Sequence, residues 1–216
     1  MAYDHEEQEQ MASLKAWWNQ YGNLLTWALT IVLAGYAAWT GWNYYQRTQS
    51  TEAAMLYNEL QNAVKAKDTS KIQRAATDLQ ARYVRTAYAQ MSALVAAKSA
   101  VDANDLPRAK VQLQWVIDNG ANAEYKAIAR IRLAGILLDE KAYDAGLALL
   151  AAEFPVEFAV DVADRKGDLL VAQDKLAEAR TAYQLALDKA QQSNPGRQLI
   201  QLKLDAIGGV AVKAAA

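Results

Sequence analysis

The chain has 216 residues, 53% of them hydrophobic, with 23 basic and 24 acidic side chains, a net charge of −1, one histidine and no cysteine. Without thiols there are no disulfides, no cysteine-based zinc sites and no thiol catalysis, and with His5 alone no Ser-His-Asp, Cys-His or histidine-metal arrangement can be assembled past the N-terminal tail. Residues 1–46 carry four carboxylates and Lys15, and the rest is nearly neutral without a basic block, which gives nucleic-acid binding little support.

Between Lys15 and Arg47 lie 31 residues without a charge. Leu24 to Trp42 is an apolar run interrupted only by Thr26, Thr30 and Thr40, whose hydroxyls a helix can bond back to its own carbonyls. Its 19 residues at 1.5 Å rise cover roughly 28 Å, close to a bilayer's hydrocarbon core. Trp17, Trp18 and Tyr21 stand before the run, and Trp39, Trp42, Tyr44 and Tyr45 stand at its far end, as two aromatic girdles at the headgroup levels. Asp4, Glu6, Glu7 and Glu9 make a poor positive leader, so an uncleaved anchor is expected ahead of a signal peptide. Lys15 on one side against Arg47, Lys65 and Lys67 on the other leaves orientation undecided by charge. Gly35 and Gly41, with Ala34, Ala37 and Ala38, would permit close approach of another membrane helix or simply face lipid.

Past Arg47 the sequence reads as helix throughout, rich in alanine, leucine, lysine, glutamine and glutamate. Breaks fall at Asp105-Leu106-Pro107 (an N-cap and first turn), Asn119-Gly120 (a C-terminus with a left-handed residue), Phe154-Pro155 and Ser193-Asn194-Pro195-Gly196. Helices are predicted near 49–67, 70–83, 86–103, 106–118, 123–140, 143–153, 157–173, 176–191 and 197–207. The pattern Leu176-x-x-Ala179-x-x-x-Tyr183 recurs from Ile72, Leu106 and Tyr143, at separations of 34, 37 and 33 residues. Nine residues before each leader is a small residue, Ala63, Ala97, Ala134 or Gly167, where two helices of a hairpin would cross. A period near 34 of helix–turn–helix units resembles the tetratricopeptide repeat, a stack of pairs in which neighbours share one core. The fold expected is all-α: one N-terminal transmembrane helix, then about four helix pairs and a capping helix. No glycine run cradles a phosphate, and neither a cofactor nor an enzymatic activity is expected.

The acidic start, Trp17-Trp18-Asn19-Gln20-Tyr21-Gly22-Asn23, Gly41-Trp42-Asn43-Tyr44-Tyr45, Ile131-Arg132-Leu133-Ala134, the stretch from Val162 to Leu170 and Ala179-Arg180-Thr181-Ala182-Tyr183 together resemble the YfgM family of ancillary SecYEG translocon subunits. The resemblance runs the length of the chain and involves no catalytic signature. It implies a single-pass bacterial inner-membrane protein with a cytoplasmic acidic tail (1–20), a transmembrane helix (21–45), a periplasmic tetratricopeptide-like domain (46–208) and a flexible tail (209–216). It further implies a non-enzymatic adaptor whose partners are the SecYEG translocon, the periplasmic chaperone PpiD and translocating clients, to be handed on to periplasmic chaperones. A tethered scaffold for another envelope or secretion complex is the alternative.

In a tetratricopeptide array the first helix of each pair lines the concave face. The repeat register places Met91, Leu94 and Lys98, then Ile128, Ile131 and Gly135, then Asp161, Asp164 and Asp168 there. The apolar sets would receive a segment of a client or partner, or be covered by one of the chain's own helices. The three aspartates share one helix face, as a solvated surface or as a rim selecting basic segments; one face cannot wrap calcium.

Overall fold

The computed structural model describes residues 5–209, with side chains from residue 9 onward. The first four residues of the expected acidic tail, and the expected flexible tail past Gly209, lie outside the described residues. The chain forms two compact units, one up to Thr51 and one from Glu52.

Helix α1 (His5–Lys65) contains the whole apolar run. In the first unit, Thr26 and Thr30 donate to the carbonyls of Gly22 and Thr26, both at 2.7 Å, so neither hydroxyl is left bare in an apolar medium. The large side chains of the run, from Leu24 through Trp39, point outward. No part of the most apolar stretch of α1 is buried by protein, as suits a helix whose solvent is lipid.

The second unit is helical throughout. It takes in the C-terminal end of α1, from Glu52, and α2 (Thr69–Arg82), α3 (Ala87–Asp102), α4 (Leu106–Asn119), α5 (Ala123–Asp139), α6 (Tyr143–Leu149), a 3-10 turn (Val156–Phe158), α7 (Ala159–Ala172), α8 (Leu176–Lys189) and α9 (Arg197–Ala206). Asp68, Thr86, Asp105 and Asn122 each cap the helix that follows by accepting a backbone N–H. Pairs form between the end of α1 and α2, α3 and α4, α5 and α6, and α7 and α8, and α9 packs on the last pair. The small residues at the expected crossings are all enclosed: Ala63, Ala97, Ala134 and Gly167. A Cβ added at Gly167 would overlap the Tyr183 ring, so that crossing requires glycine.

The four intra-pair turns are identical in backbone although their letters differ. Lys67, Asn104, Lys141 and Asp174 have φ of 54°, 57°, 60° and 61°. In each, the left-handed residue donates to the carbonyl three residues back and the next residue donates to the carbonyl five back, as in Asn104 to Val101 and Asp105 to Ala100.

Three expectations are corrected. Gly120 is extended (φ −61°, ψ 134°), not left-handed; glycine is needed because a Cβ would lie 2.5 Å from the Val116 carbonyl oxygen. Helix α6 stops at Leu149 instead of reaching 153: its last turn tightens, Ala151 donates to Ala148, and Pro155 holds Phe154 out of helical backbone. Gly209, the first residue of the expected flexible tail, donates to the Leu204 carbonyl, with Gly208 closing α9 in the left-handed region (φ 76°) and the Arg180 Nε donating to the Ile207 carbonyl at 2.8 Å.

Candidate protein-binding surfaces

The expected interface residues of the span, Trp17, Trp18, Tyr21, Trp39, Trp42, Tyr44 and Tyr45, are all exposed along α1. Trp17 packs against Tyr21 and Trp42 against Tyr45, with centroids 5.8 and 6.2 Å apart, one turn of helix bringing each pair together. Trp18 lies over Gly22, where an added Cβ would come within 3.0 Å of the indole. Gly35 and Gly41 face open space.

The positions expected to line a groove have different fates. Leu94 is 7% exposed and shares a cluster with Leu113, Ala129 and Leu133, so it is core between α3 and α5 and cannot receive a ligand. Ile128 is half-buried on the same cluster. Ile131 packs on a second cluster, with Leu150, Val162 and Leu169, alongside Phe154 and Phe158. The space above Gly135 is taken by the Arg165 guanidinium, 3.5 Å from where a Cβ would sit. Met91 is half-buried, and Lys98 is exposed and paired with Asp102 at 2.7 Å. Leu94, Ile131 and Gly135 of this register therefore lie where the first helix of a pair meets the next pair. The physical reason is that consecutive pairs bury apolar area against each other before any remains for a ligand.

The aspartates do not act as a trio. Asp161 alone is exposed. Asp164 accepts from Lys203 Nζ of α9 at 2.8 Å, and the same ammonium lies 2.8 Å from Asp168. Asp168 also accepts the Tyr183 hydroxyl at 2.8 Å and faces Arg165 at 3.3 Å. Two cations thus meet two carboxylates, and the expected rim for basic segments is already occupied from within the chain. Burial, reinforced by neighbouring Asp168, holds the Asp164 carboxyl above its ordinary value although Lys203 pulls it down. Burial and the Asp168 carboxylate push the Tyr183 hydroxyl well above the usual phenol range. Lys203, Arg165 and Tyr183 were not singled out as partners of the aspartates; Lys203 is 39 residues from Asp164, and nothing local in the sequence joins them.

A cleft of about 620 Å³ is lined by α4, α5 and α6. Val111, Leu133, Leu137 and Leu149 line it, and Val111 is 66% exposed. Lys110 lines it too and is neutralised by Glu140 at 2.7 Å. The sequence signal for it was a valine on the outward side of α4, too common to single out.

Comparison with known proteins gives a full-length match. Residues 15–209 fit the family model described as a tetratricopeptide repeat-like domain. A protein of Neisseria gonorrhoeae named ancillary SecYEG translocon subunit is 34% identical over 208 residues, 96% of this chain and 100% of the relative. Relatives of the same name from Haemophilus influenzae and Escherichia coli are each 26% identical, covering 95% and 92% of this chain and 99% and 95% of their own lengths. No solved structure matches.

Proposed function

The chain belongs to the tetratricopeptide repeat-like family of ancillary SecYEG translocon subunits, and from that premise we propose that it is itself a membrane-anchored, non-enzymatic adaptor at the SecYEG translocon. The observation that carries this is the 34% identity to the Neisseria relative over the whole length of both proteins, span and array together. A relative sharing only the repeats would have supported a generic scaffold; the shared anchor brings the array to the same place.

In this reading α1 crosses the inner membrane once, with the acidic N-terminus in the cytoplasm and the unit from Glu52 in the periplasm. The stacked pairs bind polypeptide and transform nothing. Emerging clients are passed on to periplasmic chaperones, and the membrane-anchored chaperone PpiD is the expected co-partner. The exposed cleft beside Val111 suits the apolar side chains of such segments, because its one cation is already paired.

Affinity purification of the tagged full chain in mild detergent tests the reading. The translocon subunits should co-purify in amounts comparable to the bait. Recovery of a different envelope complex in their place would overturn it. A periplasm-active reporter fused after residue 216 should be active; an inactive periplasmic reporter with an active cytoplasmic one would reverse the orientation.

A further inference from the structure

Helix α9 repeats the register of the first helices of the pairs. In α5, Ala129, Leu133 and Ile136 pack back on the preceding pair. In α7, Val162 and Leu169 do so. In α9 the same spacing recurs in Ile200, Leu204 and Ile207, which pack on Tyr183 and Leu170. Val162 thus corresponds to Ile200 and Leu169 to Ile207, and the opposite, forward-facing positions Asp161, Asp164 and Asp168 correspond to Leu199, Leu202 and Ala206.

That forward face is used in each preceding pair. Leu94 of α3 is enclosed with Ala129 and Leu133 of α5. Gly135 of α5 lies beneath Arg165 of α7. Asp164 and Asp168 of α7 hold Lys203 of α9. On α9 itself no described residue covers it: Leu199 is 56% exposed and Leu202 65%, and Ala206 is exposed. A stack that ends here ordinarily presents a polar outer surface.

We propose that Leu199, Leu202 and Ala206 are a docking face for an α-helix of another protein, which lengthens the stack by supplying the first helix of a further pair. The three internal interfaces state what that helix carries. It presents apolar residues at positions 0 and +7, as α5, α7 and α9 all do, and at +4, as Leu133 of α5 and Leu204 of α9 do where α7 carries Lys166. At +3, where Arg132, Arg165 and Lys203 stand in this chain, it carries an uncharged side chain, because Leu202 and Ala206 replace the carboxylates that receive Lys203. A second copy of this chain does not meet the requirement. Its α5, α7 and α9 ridges are buried in their own stacks, and the corresponding ridge of α1 reads Asn58, Asn62 and Lys65, which would bury two amides and an ammonium on leucine.

The inference goes beyond translocon association and does not depend on it. A photoreactive benzophenone amino acid placed at Leu202 of the full chain in native membranes tests it, with cross-linked peptides identified by mass spectrometry. The expected adduct is a helical segment of another protein with apolar residues at 0, +4 and +7. Adding Leu199→Gln should cut its yield about ten-fold, the loss of one buried leucine contact. Both positions are exposed, so an unchanged far-ultraviolet melt is expected as the folding control. An adduct within residues 210–216, an adduct to a second copy, a yield indifferent to Leu199→Gln, or no adduct would each overturn the docking face. Translocon subunits still co-purifying with the Leu199→Gln, Leu202→Gln chain in the last case would leave the translocon reading standing.

Discussion

Four side chains sit where L-residues rarely do. Lys67, Asn104, Lys141 and Asp174 hold φ between 54° and 61°, each at the sharp turn inside a pair. The left-handed region costs a lysine about 1–2 kcal/mol, whereas asparagine and aspartate offset part of that through local hydrogen bonds. Lys141→Gly should therefore raise stability by about 0.5–1 kcal/mol in urea unfolding, after glycine's greater freedom in the unfolded chain is subtracted, and Asn104→Gly by less. The opposite result is expected at Gly167, whose missing Cβ makes room for the Tyr183 ring: Gly167→Ala should destabilise by about 1–3 kcal/mol, read the same way. Asp164 gives a pH signature. Its carboxyl is held above the ordinary 3.8 in the folded protein, chiefly by burial, so the native state retains its proton longer than the unfolded chain does. Stability should therefore fall as pH rises from 3.8 through the raised native value and change no further above it. Asp68, lowered by the Lys71 backbone N–H that it caps, works in the opposite direction, contributing stability above 3.8 that is lost as pH falls. Melts of the Asp164→Asn variant against the parent across acid pH isolate the first effect, because Asp68 is common to both.

At the scale of the element, α9 is the test of how the stack closes. Its Lys203 is the cation facing both Asp164 and Asp168, and Ile200 and Leu204 are buried in the last cluster. Lys203→Met would leave two carboxylates with only Arg165 at 3.3 Å and the Tyr183 hydroxyl between them. Allowing for their partial exposure, a loss of about 1–3 kcal/mol is expected in urea unfolding, and adding Asp164→Asn should restore part of it. The helices were legible where termini carry their own chemistry: Asp105 with Pro107 and the break at Pro155 mark boundaries without reference to the rest of the fold. The pairs were legible because Ala63, Ala97, Ala134 and Gly167 answer to sterics at a crossing. The left-handed turns were hidden because Lys67 and Lys141 are residues no turn rule selects. The sequence left the groove open between two readings for a related reason. Leu94 and Ile131 have the spacing of a lining face, and spacing alone does not tell a surface that receives a ligand from one that receives the next pair. Lys203 closes on Asp164 across 39 residues, a distance over which a single sequence carries no pairing signal.

At the scale of the whole molecule, the two units answer to different solvents. The unit from Glu52 buries its leucines and alanines in four clusters, as a water-facing stack must. The unit up to Thr51 buries almost nothing: Trp27, Leu29, Ile31, Val32 and Leu33 are all exposed along a helix with no charge from Ala16 to Gln46. Water makes that face costly, at roughly 25 cal/mol per Å² of apolar surface, and hydrocarbon removes the cost. Retention in the membrane should accordingly depend on the middle of the run and not on the repeats. Ile31→Arg and Val32→Arg together add about 5–7 kcal/mol to insertion, because one arginine at the centre of a span costs about 2.5–3.5 kcal/mol. The doubly substituted chain should appear in the soluble fraction after lysis without detergent, while the parent stays with the membranes through an alkaline carbonate wash. Helical content and the acid-pH behaviour of Asp164 should be the same in both, since Asp164 and the groups that hold it belong to the unit from Glu52. Release of the unsubstituted chain without detergent would remove the anchor from the account, and the case for a protein held at the translocation site would go with it.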